Sequence, residues 1–138
     1  MSKPIRVPFL LLTAALAIFV VGCSSAPAAT GGTTGRVVAD GESFGMQPGD
    51  TVGLSDRSTL RYVNVTSDSR CPPGVQCIHA GNAVVGFESQ PAGGSKLAFE
   101  LNSPDQPQSR DLGSLRVTLQ SLAAGDAPQA QLKVERGN

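Results

Sequence analysis

No tryptophan occurs in this 138-residue chain, and aromatic side chains number only one tyrosine, Tyr62, and five phenylalanines. A core must therefore be mostly aliphatic, made of Val, Leu and Ala with a few Phe. There is one histidine, His79, so any His-based acid–base mechanism has to use it. No run of like charge is present, and eleven Lys and Arg balance eleven Asp and Glu. A balanced chain lacks the basic face that displaces counterions, so no nucleic-acid partner is expected. The two cysteines nearest each other are not in Cys-x-x-Cys spacing, which argues against a disulfide oxidoreductase. We expect no nucleophile-elbow serine and no paired-histidine metal motif. Nothing marks a carboxylate pair for glycoside chemistry. The chain is read as having no enzymatic activity and no cofactor.

Turn formers are plentiful, with sixteen Gly and ten Pro, and they favour all-β architecture over helices. The first segment is of another kind. "MSKPIRVPFLLLTAALAIFVVGC" begins with Lys3 and Arg6, continues as an apolar run from Phe9 to Val21, and ends in small residues before Cys23. That is the pattern of a secretory signal. The apolar run is about 13 residues, short of the roughly 20 that a membrane span needs.

"VVGC", Val20 to Cys23, resembles the lipobox of bacterial lipoprotein precursors. The resemblance implies that residues 1–22 are a signal peptide, that the Cys23 thiol receives a diacylglycerol, and that Cys23 becomes the first residue of the mature protein. Two or more acyl chains hold a protein stably on a membrane, so the membrane is a partner through the lipid on Cys23. The implied location is the bacterial cell envelope. Ser24 in place of Asp points to the outer membrane, facing the periplasm, if the cell has one. "SSAPAATGGTTG" follows, and residues 23–35 read as a flexible tether. Loss of Lys3 and Arg6 leaves nine basic against eleven acidic residues.

Residues 36–138 read as one β domain. Period-two apolar patterns place Phe44 with Met46, Val52 with Leu54, Leu60 with Tyr62, and Ala83 with Val85 and Phe87. Further on they group Leu97, Phe99 and Leu101, then Leu115, Val117 and Leu119, then Leu132 and Val134. About seven strands result. Val63 and Val65 break the phase of Leu60 and Tyr62, which means burial on both sides or a bulge near Asn64. The stretch from Leu112 to Ala124 is read as strand, because its alternation is strict and it carries β-branched Val117 and Thr118. "SPDQPQSRD" reads as a loop. One buried face per strand predicts a small antiparallel β-sandwich or an open barrel.

"DSRCPPGVQCIHAGNAVVG", Asp68 to Gly86, holds the other two cysteines and the histidine. With Cys23 lipidated, Cys71 and Cys77 remain as a lone pair in an oxidising compartment, and a disulfide is expected. It would close a loop of about seven residues, contributing on the order of 2 kcal/mol. Asp68, Cys71, Cys77 and His79 are also a possible metal-binding set, although five residues between the cysteines suits zinc poorly. The same stretch resembles the Asp-Ser-Arg-Cys-Pro…Val-x-Cys-x-Trp-Ala-Gly signature of a group of small bacterial secreted proteins and lipoproteins. The group carries no activity across to this chain. His79 stands where that signature has Trp, which implies an amphipathic side chain partly buried at the core rim. On alternation, His79 is expected to share the inward face of Cys77.

Two roles fit the loop. Asp68 and Ser69 can bond backbone groups at a strand exit, and Arg70 can bond loop carbonyls or Asp68. A stapled loop presenting Asp68, Arg70, Val75 and His79 can also be a contact surface. The combined expectation is a non-catalytic envelope module, with an envelope protein as a possible partner. Metal capture by the Cys/His loop and a small carboxylate enzyme are the alternatives.

Overall fold

A computed structural model describes residues 35–137. The expected signal peptide, Cys23 and the tether through residue 34 lie outside the described residues. Nine strands follow one another: β1 (Val37–Val38), β2 (Ser43–Met46), β3 (Thr51–Leu54), β4 (Thr59–Asp68), β5 (Ala83–Gln90), β6 (Leu97–Ser103), β7 (Ser109–Leu112), β8 (Leu115–Leu122) and β9 (Ala130–Arg136). They form a five-stranded sheet, β1-β3-β4-β5-β6, and a four-stranded sheet, β2-β9-β8-β7. The protein is all-β, with two sheets enclosing one aliphatic core. Every pairing is antiparallel except β1 with β3.

The seven expected strands are present, and β8 covers the stretch most easily misread as helix. Their inward residues are the ones that alternation selects: Leu60, Tyr62, Val85, Phe87 and Leu101 from one sheet, Val117, Leu119, Leu132 and Val134 from the other. The Phe87 ring lies 5.3 Å from Tyr62 and 5.7 Å from Phe99, centroid to centroid. The Tyr62 hydroxyl, buried among apolar side chains, donates to the Pro128 carbonyl at 3.0 Å.

The conflict within β4 resolves as a bulge. Tyr62 pairs with Phe87, and Asn64 with Gly86, so Val63 is the extra residue and is turned outward. After this shift Val65 pairs with Val85 and packs on the core. A second irregularity, between Val65 and Ser67, twists the strand again as it nears the cysteine loop.

Two strands exceed the expected set. β7 begins inside the segment expected to be loop and is joined to β8 by a tight turn at Gly113 and Ser114, with Leu112 facing Leu115. β1 adds two residues beside β3. Leu97, expected to face inward with Phe99 and Leu101, is 43% exposed at the start of β6.

Candidate functional site

β4 and β5 pair as far as Asp68 and Ala83. Beyond that point the two arms stay together by other bonds. Ser69 N–H donates to the Asn82 carbonyl at 2.8 Å, and Cys71 N–H to the Ala80 carbonyl at 3.2 Å. The Ser69 hydroxyl lies 3.1 Å from both the carbonyl oxygen and the amide nitrogen of Asn82. Gly81 makes the close approach possible. Its φ is +69°, and a side-chain carbon there would fall 1.9 Å from the Ser69 carbonyl oxygen. Only glycine tolerates that combination.

Above this neck, Cys71 and Cys77 are joined as a disulfide, with their Cα atoms 5.9 Å apart. Pro72 to Val75 form a turn inside the staple, closed by Val75 N–H donating to the Pro72 carbonyl at 3.2 Å. The Pro-Pro-Gly sequence suits it, because proline fixes φ and Gly74 takes φ +80°.

Arg70 ties the neck to the opposite sheet. Its guanidinium donates through Nη1 to the Leu122 carbonyl at 2.6 Å and through Nη2 to the Ala123 carbonyl at 3.0 Å. Nε and Nη2 also grip the two Asp68 oxygens at 2.9 and 2.6 Å. Asp68 in turn accepts the Arg70 backbone N–H at 3.0 Å. The guanidinium hydrogen bonds hold the Asp68 carboxyl below its ordinary value of 3.8, against a smaller opposing effect of burial. Asp68 and Arg70 thus line an open cleft between the cysteine loop and the β8–β9 turn at Ala124 to Asp126. Arg70 was expected in both roles, and its guanidinium bonds one carboxylate and two carbonyls, as the strand-exit reading of the motif implies.

The other two expected contact residues behave differently. Val75 is 57% exposed, and His79 is exposed in a bend. A partly buried His79 at the core rim is therefore corrected. Alternation holds only along an extended exit from Cys77, whereas the chain bends at Ile78 and His79 and resumes strand only at Ala83. Cys77 itself is exposed, because the staple sits beyond the edge of the sandwich. The sequence reading missed Ile78, which is 95% exposed. A second β-branched apolar residue besides Val75, next to a cysteine in a Pro- and Gly-rich loop, was the available signal.

Metal-binding chemistry is poorly served here. The disulfide takes both sulfurs out of the thiolate form that ligates metals. Among the described residues no three His, Cys, Asp or Glu side chains are grouped around a possible ion. One motif was passed over in the sequence: "GESFG", Gly41 to Gly45, has the Gly-x-Ser-x-Gly spacing. Ser43 opens strand β2, with no helix following. An elbow needs a strand–turn–helix setting to raise its serine. His79 lies in the cysteine loop, beyond the other end of that strand.

No family model matches the chain, and no curated protein or solved structure is detectably similar to it.

Proposed function

We propose that this chain is a lipid-anchored, non-catalytic module of the bacterial cell envelope, held at the membrane through Cys23 and making its contacts through the tip of the stapled loop. The observation that carries the contact role is the exposure of Ile78, at 95%, on a loop fixed by a disulfide and a glycine neck. An isolated exposed leucine or isoleucine needs no explanation. Here Ile78 adjoins the disulfide-closed loop of Pro72, Pro73 and Val75, all of them exposed. Rigidity lowers the ordering cost of binding, and apolar exposure held in place by covalent structure serves a surface better than a core. The anchor rests on "VVGC" and on the charged and apolar segments before it.

Two measurements test the reading. Mass spectrometry of the mature protein should find acyl mass on Cys23, and Cys23→Ala should leave the protein uncleaved or soluble. An unmodified Cys23 in protein from its native envelope refutes the anchor. Ile78→Asp should change the unfolding free energy by no more than about 0.5 kcal/mol, as for a surface site. A loss of several times that would make Ile78 a folding residue and remove the basis for a contact surface.

A further inference from the structure

We infer that the apolar tip formed by Pro72, Pro73, Val75 and Ile78 rests in the interfacial layer of the same bilayer that holds Cys23; this rests on the lipid-anchor reading above. The direction of the chain is the first support. β4 runs toward the cysteine loop, β3 is antiparallel to β4, and β1 is parallel to β3. The N-terminal chain therefore approaches β1 from the end of the domain that bears the loop.

Length is the second. Val37 lies beside Gly53, and Gly53 beside Thr59. From that level β4 climbs nine residues to Asp68, roughly 30 Å at about 3.3 Å each. The loop adds on the order of 10 Å for three further residues. Fourteen residue steps run from Cys23 to Val37, and fully extended they span about 45 Å. Cys23 can thus sit in the bilayer with the loop end facing it.

The chemistry of the tip is the third. From Ser69 to Ala80 there is no acidic residue, and the one cation, Arg70, is turned back onto Asp68 and the β8–β9 turn. The tip offers four exposed apolar residues, Pro72, Pro73, Val75 and Ile78. A stable protein partner covers about 800 Å² on each side, which four side chains do not supply. A bilayer interface demands no matching shape. Once the lipid has brought the domain to the surface, the effective concentration is high, so even a weak apolar contact is occupied.

The chain has no tryptophan, which makes a single introduced one an unambiguous probe. The test uses full-length lipidated protein in vesicles of phosphatidylethanolamine with a minority of phosphatidylglycerol. Ile78→Trp reports on the tip, and Ser114→Trp, in the β7–β8 turn at the opposite end, is the control. Acyl mass on Cys23 and flotation with the vesicles are checked first. The Ile78→Trp emission should shift to the blue and be quenched by lipids brominated on their acyl chains, while Ser114→Trp stays water-like. In Val75→Trp the same shift should appear, and adding Ile78→Asp should remove it. Acylated, floating protein whose two reporters behave alike overturns the inference and leaves the anchor standing. Absence of acyl mass overturns both. A tip reporter that stays water-like on pure lipid but shifts on native envelope vesicles also overturns it, in favour of a protein partner.

Discussion

Replacing Arg70 by Ala removes a side chain that joins the neck of the cysteine loop to the other sheet. Four hydrogen bonds of 2.6 to 3.0 Å end on Asp68, Leu122 and Ala123. Hydrogen bonds from a charged group contribute about 1.5–3 kcal/mol each when well shielded. The Arg70 side chain keeps 20% of its surface exposed and that of Asp68 keeps 35%. The Asp68 pair is therefore discounted toward the 0–1 kcal/mol of a surface ion pair. The two carbonyls regain water once the side chain is gone. The net expectation is a loss of about 2 kcal/mol, or about 10 °C in the thermal midpoint of a domain this size. Arg70→Lys keeps the charge but not the fork, and should recover less than half.

The assay is thermal unfolding of the non-reduced protein, followed by amide exchange of residues 69–82, where protection should fall first. Acid titration adds an independent readout. The Asp68 pKa is lowered in the folded state, first by the Arg70 side-chain hydrogen bonds. Its contribution is thus present above the ordinary value of 3.8 and is lost as pH falls through the lower folded value. Asp68→Asn should flatten the acid limb below pH 4. An Arg70→Ala protein that melts within a degree of the parent, with unchanged exchange, would refute the bracing role.

Tyr62→Phe strands the Pro128 carbonyl and should cost about 1–2 kcal/mol; because burial raises the Tyr62 pKa to about 12, parent stability should fall as pH rises from the ordinary value of 10 toward 12, and less so in the Phe variant. Opening the staple by Cys71→Ser with Cys77→Ser should cost about 2 kcal/mol and leave the far-UV circular dichroism of the sandwich unchanged; loss of the strand signal would mean that the neck does not hold without the bridge. Gly81→Ala forces a side chain against the Ser69 carbonyl and should cost more than about 2 kcal/mol by denaturant unfolding; a neutral result would refute the close approach of the two arms.

Alternation alone identified the buried faces of the long strands, because a half-buried strand must repeat every second residue. The phase change at Val63 and Val65 was legible for the same reason, though only the pairing decides between burial on both sides and a bulge. β7 was not legible: Ser109, Arg110 and Asp111 carry no apolar pattern, and its only inward anchor is Leu112. β1 is two residues long and buries one, Val38, too little for any periodicity. Within the loop, compartment and cysteine count gave the disulfide. The carbonyls that Arg70 reaches lie some fifty residues away in sequence, at Leu122 and Ala123, and no local pattern announces them. His79 was misplaced because alternation was carried past the end of the strand, when Gly81, two residues on, marked the break.

The short strand β1 also decides how this domain bears a load. Tension in the N-terminal chain is delivered to the fold at Arg36 and Val37, beside β3. Arg36 carbonyl accepts from Gly53 N–H at 2.7 Å, and Arg36 also pairs with Glu42. Just beyond, Gly41 N–H is bonded to the Val134 carbonyl at 2.7 Å, and the Val38 side chain is fully enclosed. A pull directed along β1, toward the loop end, drags these fastenings sideways and strains them all at once. A pull across the sheet peels them one after another. The domain should therefore hold β1 firmly when residue 36 is drawn toward the cysteine loop and release it at far smaller force when drawn away from β3, a difference that single-molecule stretching between residue 36 and two alternative attachment points would measure.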